Sequence, residues 1–400
     1  MDELNDLIKH YASDYFEEVR AIRRHLHENP ELSNEETGTA EYICRKLDGF
    51  KIPYKKGISG HGVVALIQGK NSLDRNIALR ADMDALPVIE ENDVQYKSKV
   101  PGIMHACGHD VHMACLLGAG KILNNFKEKF EGSIKLIFQP SEETYPGGAI
   151  GMIREGVLKN PETVHVIGQH VINTLEAGKI GMKPGPYMAS TDEIFLTVKG
   201  KGGHAATPDQ VTDPILIASH IVIALQQIVS RKANPVVPTV VSIGKITGDG
   251  RTNIIPGEVR LEGTVRTYDE TWRKTIHETI RSMASTIAEA MGGTCEVRIS
   301  HGYPFLRNDE LLTSAIRGIA TEYLGENNVV EQEARMTAED FSYFANEVPS
   351  CFYRLGVRNE KKGIVSNLHS STFDVDESCL ETGMGMMACI AVRILSSVQK

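Results

Sequence analysis

Short apolar runs that end in polar turns alternate with amphipathic stretches through the first half of the chain. Apolar runs predict buried strands at residues 76–80, 133–139 and 164–168. Apolar residues spaced three and four apart predict helices at residues 16–28, 37–47 and 111–127. Because this alternation is typical of a sheet covered by helices, the first half predicts an α/β sandwich.

The pattern changes after Lys183-Pro184-Gly185-Pro186, where two prolines and a glycine interrupt the chain. The next predicted elements are a strand at 193–199, a helix at 214–230, strands at 240–245 and 257–267, a helix at 270–291 and a further strand. This βαββαβ order is a compact module. The alternating pattern then resumes, with a strand at 350–355 and a last helix at 377–395. We therefore predict a discontinuous first domain, residues 1–184 and 300–400, into which residues 185–299 are inserted.

Composition excludes several classes of partner. The 43 Lys and Arg against 52 Asp and Glu give a net charge of -9, and no basic tail or stripe is present, so nucleic acid is not an expected partner. The first ten residues lack an apolar signal core, and no stretch of about 18 apolar residues stands out, so no membrane span is expected. The seven cysteines are odd in number and scattered, which favours reduced thiols and a cytoplasmic protein.

The densest group of potential metal ligands is the segment 104–112, which contains Cys107, His109 and His112. A thiolate and an imidazole two residues apart can meet one ion if the backbone between them is not helical, and Gly108 permits such a turn. The alternative is structural: Cys107 as a small buried apolar residue and His109 as a helix cap.

A second group follows the strand at 133–139, where Glu142 and Glu143 are adjacent. Two neighbouring carboxylates on extended backbone do not both face one ion, which predicts one ligand and one group that handles protons. A solvated acidic turn is the alternative. His170 stands near the end of a predicted core strand, where α/β sheets usually carry their sites, and His369 precedes the last helix.

Asp82 and Asp84 follow the strand at 76–80 and place two carboxylates on one side of the chain. Such carboxylates can orient a histidine that ligates a metal. No phosphate-binding loop, dinucleotide fingerprint or Gly-x-Ser-x-Gly elbow is found, which disfavours nucleotide and serine-hydrolase chemistry.

Five blocks, in order along nearly the whole chain, resemble the aminoacylase and hippurate hydrolase branch of the metallopeptidase superfamily that contains glutamate carboxypeptidases. The blocks are 79–87 (LRADMDALP), 104–112 (MHACGHDVH), 139–143 (QPSEE), 200–208 (GKGGHAATP) and 336–341 (MTAEDF). The resemblance implies a three-layer catalytic domain with a central mixed sheet. It also implies that the inserted module is a ferredoxin-like domain that acts in dimerisation and as a lid.

The resemblance further implies two divalent ions per subunit, held by Cys107, His109, Glu143, His170 and His369. A thiolate ligand favours manganese, zinc, cobalt or nickel over magnesium. The catalytic roles that it implies are those of Glu142 as general base and His204 as a group lent to a neighbouring active site of a homodimer. It assigns Asn253 and Arg266 either to contact with the substrate's carboxylate or to the organisation of the inter-domain face. It gives Glu339 a supporting role that does not include direct contact with a metal ion.

The expected reaction is metal-dependent hydrolysis of the amide bond of an N-acyl amino acid, hippurate-like or N-acetylated. A carboxypeptidase or dipeptidase on the same scaffold is the alternative, and the cysteine in place of the relatives' bridging aspartate favours the amidohydrolase. A non-catalytic binding protein with the same fold is a third hypothesis, which the intact pair Glu142-Glu143 disfavours.

Overall fold

A computed structural model describes residues 2–72 and 75–397. The chain forms two compact units. The first unit comprises the described parts of Met1–Gly185, Arg307–Glu333 and Asp340–Lys400. The second unit comprises Pro186–Leu306 and the short segment Ala334–Glu339.

The α-helices of the described residues are α1 (Asp2–Glu28), α2 (Thr37–Phe50), α3 (His109–Asn125), α4 (Gly148–Arg154), α5 (Pro214–Gln227), α6 (Glu270–Ala290), α7 (Glu310–Leu324), α8 (Ser342–Glu347) and α9 (Cys379–Ser397). The strands are β1 (Tyr54–Ile58), β2 (Gly62–Gln68), β3 (Asn76–Asp82), β4 (Ser133–Gln139), β5 (Thr163–Glu176), β6 (Ile180–Met182), β7 (Gly185–Met188), β8 (Asp192–Lys199), β9 (Gly203–His204), β10 (Thr239–Thr247), β11 (Ile254–Ile255), β12 (Glu258–Thr267), β13 (Thr294–His301), β14 (Leu306–Asn308), β15 (Val329–Glu331) and β16 (Ser350–Arg358).

The first unit is built around a sheet with the strand order β1-β2-β4-β3-β5-β16-β6-β15. Strands β4, β3, β5 and β16 run parallel, whereas β1, β2 and β6 add antiparallel pairs, so the predicted mixed sheet is confirmed. Every residue of β3 and β4 is buried, as expected of strands covered on both faces. Helices α1, α3 and α9 pack together in the core of this unit. Because β3, β4 and β5 are parallel, their carboxyl ends lie at one edge of the sheet.

Helix α1 begins earlier than the apolar pattern predicted. It starts at Asp2 rather than at residue 16. Ile8 and Ala12 are fully buried and continue the line of Val19, Ile22 and Leu26 at helical spacing. The additional turns are therefore held by packing.

The second unit contains an antiparallel sheet with the order β10-β12-β8-β13 and the helices α5 and α6. Its elements follow the predicted order βαββαβ, and β8 alternates between buried and more exposed positions. Buried residues of the sheet and the two helices form a separate core, which includes Ile194, Leu196, Ile217, Ile221 and Ile280.

The second unit begins near the expected residue 185 but extends beyond the expected last residue, 299. The chain returns to the first unit after Leu306, and Ala334–Glu339 joins the second unit. Backbone pairing explains this addition: the N–H of Arg335 donates to the carbonyl of Tyr187 at 2.9 Å, and the N–H of Ala189 donates to the carbonyl of Thr337 at 3.1 Å. Long-range pairing of this kind is not visible in an apolar pattern.

Two helical stretches of the described residues have the length and composition of a membrane span, although we expected none from the sequence. They are Pro214–Lys232 and Cys379–Ser397, each of 19 residues. In Cys379–Ser397, 78% of the apolar window is buried inside the protein, as in the core helix of a globular unit. In Pro214–Lys232 the share is 33%. Length and composition alone are weak support for a membrane span.

Candidate metal centre

Potential ligands gather at the edge of the sheet where β3 and β4 end beside β5. Strand β3 ends at Asp82, and the turn after β4 carries Glu142 and Glu143. His170 lies within β5, where the parallel strand β16 pairs with it. Strand direction therefore brings together three segments that are far apart in the sequence.

Gly108 shapes the segment that carries Cys107 and His109. Its backbone is left-handed, with a φ of 80°, and α3 begins at the next residue. A Cβ at this position would lie 2.5 Å from Cγ2 of Val171, closer than real contacts allow. Glycine thus serves both the conformation and the packing, and Cys107 is left outside the helix.

The five predicted ligands meet in two groups that share Cys107. The first group is Cys107, His109 and His170, and the second is Cys107, Glu143 and His369; in each, the potential ligand atoms lie within 4.8 Å of one another. The Cys107 Sγ atom is 3.4 Å from His170 Nε2 and 3.3 Å from His369 Nε2. His109 Nε2 is 3.8 Å from Glu143 Oε1. The sulfur thus stands between the two groups.

Hydrogen bonds from the other ring nitrogen orient two of the imidazoles. His109 Nδ1 lies 2.7 Å from the carbonyl of Asp84, and His170 Nδ1 lies 2.7 Å from the carbonyl of Val171. Since a carbonyl only accepts, each Nδ1 carries a proton, so Nε2 is the ring nitrogen that each histidine can offer to an ion. His369 is held differently: its backbone is left-handed, with a φ of 64°, and its N–H donates to the carbonyl of Ala106 at 2.9 Å.

Asp84 supports the turn that carries the two glutamates. Its carboxylate, 1% exposed, accepts hydrogen bonds from the backbone N–H groups of Glu142 at 3.0 Å and Glu143 at 2.9 Å. Ser33 Oγ donates to the same carboxylate at 2.6 Å. The Asp84 side chain therefore holds the backbone of the turn from which both glutamate side chains extend.

Asp82 is tied to His112, a residue of the segment 104–112 for which the sequence predicted no role. His112 Nε2 accepts a hydrogen bond from the backbone N–H of Val171 at 2.9 Å, so its Nδ1 donates to the Asp82 carboxylate. Arg80 also donates to Asp82, at 2.7 Å. One signal in the sequence could have indicated this role, because His112 follows His109 by three residues and shares its helix face.

Asp340 is a second residue that the sequence analysis missed. Its carboxylate accepts hydrogen bonds from Arg80 at 2.8 Å and from Gln139 at 2.7 Å. It therefore connects the ends of β3 and β4. Its position inside the block 336–341 was the available signal.

The electrostatics of the cluster favour a cation. Burial raises the pKa of the Cys107 thiol well above its ordinary value, and the Glu143 carboxylate adds to the rise. Burial also raises the pKa of Glu143 to about 7. For His109, burial favours the neutral ring, but the Asp82 carboxylate outweighs it and raises the pKa to about 10. A divalent ion beside His109 Nε2 would take the place of a proton and lower the pKa of both acids.

The buried polar atoms of the cluster are suited to a bound metal ion. His109 Nε2 and Glu143 Oε1 are buried, and neither has a hydrogen-bond partner among the described residues. Buried polar atoms without partners are rare in proteins, so a water molecule or an ion is expected beside them. One thiol, three imidazoles and one carboxylate are suitable ligands for two borderline divalent ions.

Four residues that the resemblance assigned lie in the second unit. His204 is exposed on β9, and its Nδ1 accepts from the N–H of Ala206 at 3.0 Å, so Nε2 carries the proton of a neutral ring. Asn253 is exposed, and Arg266 lies on β12, where burial lowers its pKa. Glu339 is 2% exposed at the end of the segment 334–339.

Comparison with known proteins identifies the family. A family model for peptidase family M20/M25/M40 matches residues 78–393. Thermostable carboxypeptidase 2 of Saccharolobus solfataricus is 39% identical, over 98% of this chain and 99% of that protein. N-acyl-L-amino acid amidohydrolase of Geobacillus stearothermophilus is 42% identical, over 76% of this chain and 81% of that protein.

Solved structures agree with this relationship. The crystal structure of the Bacillus subtilis YXEP protein, described as a dinuclear metal-binding peptidase of the M20 family, is 33% identical with a TM-score of 0.84 and covers 96% of this chain and all of that one. A putative aminohydrolase from methicillin-resistant Staphylococcus aureus has a TM-score of 0.90 at 34% identity, over 99% of this chain. The chain therefore belongs to peptidase family M20/M25/M40 and is a metal-dependent hydrolase of the amidohydrolase kind.

Proposed function

We propose that this protein hydrolyses the amide bond of N-acyl amino acids, hippurate-like or N-acetylated, and releases a carboxylic acid and a free amino acid. The observation that carries the proposal is the position of Cys107 Sγ between two groups of potential ligands, within 3.4 Å of His170 Nε2 and 3.3 Å of His369 Nε2. Relatives named N-acyl-L-amino acid amidohydrolase and N-acetyl-L-cysteine deacetylase, 42% and 38% identical, support the substrate class.

Two divalent ions would be held by Cys107 as the shared ligand, by His109 and His170 on one side, and by Glu143 and His369 on the other. When bound, such ions polarise a carbonyl oxygen and lower the pKa of water toward about 7. The thiolate favours zinc, manganese, cobalt or nickel.

Glu142 is proposed as the general base. Glu142 is only 7% exposed and is adjacent to the potential ligand Glu143. Its backbone N–H donates a hydrogen bond to the Asp84 carboxylate. Its carboxylate takes a proton from the attacking water as the new C–O bond forms, and returns it to the nitrogen as the C–N bond breaks. Atoms and charge then balance, because water supplies the hydroxyl to the acid and the proton to the amine.

His204, Asn253 and Arg266 are proposed to act on the substrate from the second unit. The protonated Nε2 of His204 is a neutral donor suited to the oxyanion that develops during attack, a role usually worth about 2.7–4 kcal/mol. Arg266, whose Nε donates to Thr264 Oγ1 at 3.2 Å, and Asn253 are proposed to meet the substrate carboxylate. Glu339 is proposed to act outside the ligand shell.

We also propose a cytoplasmic homodimer that forms through the second unit. Helix α5 exposes an apolar side that includes Ile215 at 45%, Leu216 at 51% and Ile223 at 71%. Apolar side chains gathered on one exposed helix face are typical of a protein interface. The seven cysteines are all free, which fits a reducing compartment.

The proposal is tested by release of amino acid from N-acetyl amino acids, N-benzoyl amino acids and dipeptides. Metal-free protein is reconstituted with Mn²⁺, Zn²⁺, Co²⁺ or Ni²⁺, and the bound ions are counted by mass spectrometry. We expect Glu142→Gln to keep both ions and lose turnover, and Glu143→Gln to lose ions. Turnover of N-acyl amino acids by Glu142→Gln at the wild-type rate would contradict the assignment of the base.

A carboxypeptidase is the second candidate, because two Saccharolobus solfataricus relatives of 39% and 38% identity, each over 98% of this chain, bear the name thermostable carboxypeptidase. The same panel separates the two activities. Preference for peptides with a free amino terminus over N-acyl amino acids would favour the peptidase. Absence of hydrolysis with every metal would reject both.

A further inference from the structure

A fully buried arginine on α1 joins the segments that carry two of the potential ligands. Arg23 is 0% exposed, and its Nε donates to Asp110 Oδ2 at 2.7 Å. One terminal nitrogen donates to Asp374 at 3.1 Å, and the other lies 3.5 Å from a carboxylate oxygen of Glu377. A buried arginine is rare without such partners, because removing its charge from water is costly.

Each of these carboxylates stands close in sequence to the metal cluster. Asp110 follows His109 directly, in the first turn of α3. Asp374 lies five residues after His369, in the segment that leads into α9. His109 belongs to one ligand group and His369 to the other, so the single side chain of Arg23 holds the supports of both groups.

Further hydrogen bonds extend the network to a third segment. His27, four residues after Arg23 on α1, has its Nδ1 2.8 Å from Asp110 Oδ2. Its Nε2 lies 3.3 Å from Glu90, whose carboxylate accepts from the backbone N–H of Ser98 at 2.7 Å. The loop that precedes the segment 104–109 is therefore anchored to the same helix.

The backbone at His369 needs such anchoring. A non-glycine residue with a φ of 64° is in a sparsely populated conformation, which persists only when the surrounding structure holds it. The hydrogen bond to Ala106 holds one end of the segment, and Arg23 holds the other end through Asp374 and Glu377.

We propose that Arg23 is a positioning residue for both metal ions: its guanidinium sets the separation of the His109 and His369 segments before any ion binds. The inference rests on the two-metal function proposed above. It predicts that loss of the guanidinium contacts to the three carboxylates weakens metal binding. Without them, part of the free energy of metal binding is used to order the ligand segments.

The matched controls come from the same chain. Arg24, the next residue, donates to Glu377 at 2.8 and 2.6 Å, but its side chain is 35% exposed, and Glu377 is the acidic side chain that it contacts among the described residues. Arg273 in the second unit is also buried, at 5% exposed, and pairs with Asp192. Arg24→Gln removes a salt bridge to the shared carboxylate, and Arg273→Lys alters a buried arginine that belongs to the second unit.

The experiment is a titration of chelator-treated full-length protein with Zn²⁺ in competition with a chromogenic chelator. We expect Arg23→Lys to raise the Kd of both ions by about 10- to 100-fold, because a lysine ammonium cannot bond to three carboxylates with a fixed fork. Arg24→Gln keeps the wild-type Kd. Arg273→Lys lowers the temperature of unfolding and also keeps the wild-type Kd.

Far-UV circular dichroism establishes that each variant is folded. A folded Arg23→Lys protein that binds two Zn²⁺ with the wild-type Kd overturns the inference and leaves the proposed function standing. A wild-type protein that binds no Zn²⁺, Mn²⁺, Co²⁺ or Ni²⁺ overturns the proposed function.

Asp374→Asn provides a second variant if Arg23→Lys does not fold. Its side chain is 15% exposed, so the substitution is milder, and it releases the His369 segment only. We expect it to raise the Kd of one ion and to leave the Kd of the other unchanged. Equal wild-type affinity for both ions would again overturn the inference.

Discussion

Asp84→Asn tests whether one buried carboxylate positions both glutamates of the site. The wild-type side chain offers two oxygens to two backbone N–H groups, those of Glu142 at 3.0 Å and Glu143 at 2.9 Å. An asparagine offers one oxygen, and its amide group faces the other N–H with a donor. One buried donor therefore loses its acceptor.

The expected loss follows from the contacts. A hydrogen bond to a charged group contributes about 1.5–3 kcal/mol, and Asp84 is 1% exposed, so solvent does not replace the lost acceptor. We expect the free energy of unfolding to fall by about 1.5–3 kcal/mol. Displacement of the Glu142 turn is expected to lower kcat by about 10- to 100-fold, as found when groups that orient a metal site are removed.

The assay combines urea denaturation, followed by far-UV circular dichroism, with steady-state kinetics at saturating metal. Ser33→Ala is the comparator, because Ser33 Oγ donates to the same carboxylate at 2.6 Å but supports neither glutamate. Because Ser33 is partly exposed, the substitution is expected to cost about 1.5 kcal/mol, the lower end of this range, and to retain kcat. An Asp84→Asn protein within about 0.5 kcal/mol of wild type and with wild-type kcat would refute the role of Asp84 in holding the turn.

Three further predictions follow from single positions. Gly108→Ala places a Cβ 2.5 Å from Val171 on left-handed backbone, and we expect a loss of about 2–4 kcal/mol in urea denaturation; an unchanged midpoint would contradict the packing argument. Burial raises the pKa of Asp192, but the hydrogen bonds from Arg273 outweigh it and hold the pKa below the ordinary 3.8. Its stabilising contribution is therefore present above about pH 4 and is lost as the pH falls further. Asp192→Asn should therefore make the free energy of unfolding less dependent on pH in the acid range. An unaltered dependence would argue against the pairing of Asp192 with Arg273. Ile223→Glu, at a position 71% exposed on α5, should convert the proposed dimer to a monomer in sedimentation analysis, and a persisting dimer would exclude this face as the interface.

The fold and the location of the candidate site could be predicted because their signals are local. Continuous apolar runs marked β3 and β4, and polar residues after each run marked the strand ends. Parallel strands carry their sites at such ends, which is why His170, near the end of a predicted core strand, was among the expected site residues. The early start of α1 and the assignment of the segment 334–339 to the second unit depended on long-range contacts, which have no period in the sequence.

The sequence by itself determined which donor atoms are available: a thiol and an imidazole beside Gly108, a pair of glutamates after a strand, and single histidines at 170 and 369. Their roles as ligands remain predictions that the geometry supports.

Only the tertiary structure decided which of His109 and His112 has its Nε2 already hydrogen-bonded and which has it available to a metal ion. His112 Nε2 is occupied by the N–H of Val171, whereas His109 Nε2 has no hydrogen-bond partner among the described residues. The physical reason is that the placement of β5 against α3 brings a backbone donor to one ring and leaves the other facing Cys107. A sequence pattern lists donors and acceptors, but only packing determines which of them have already been paired.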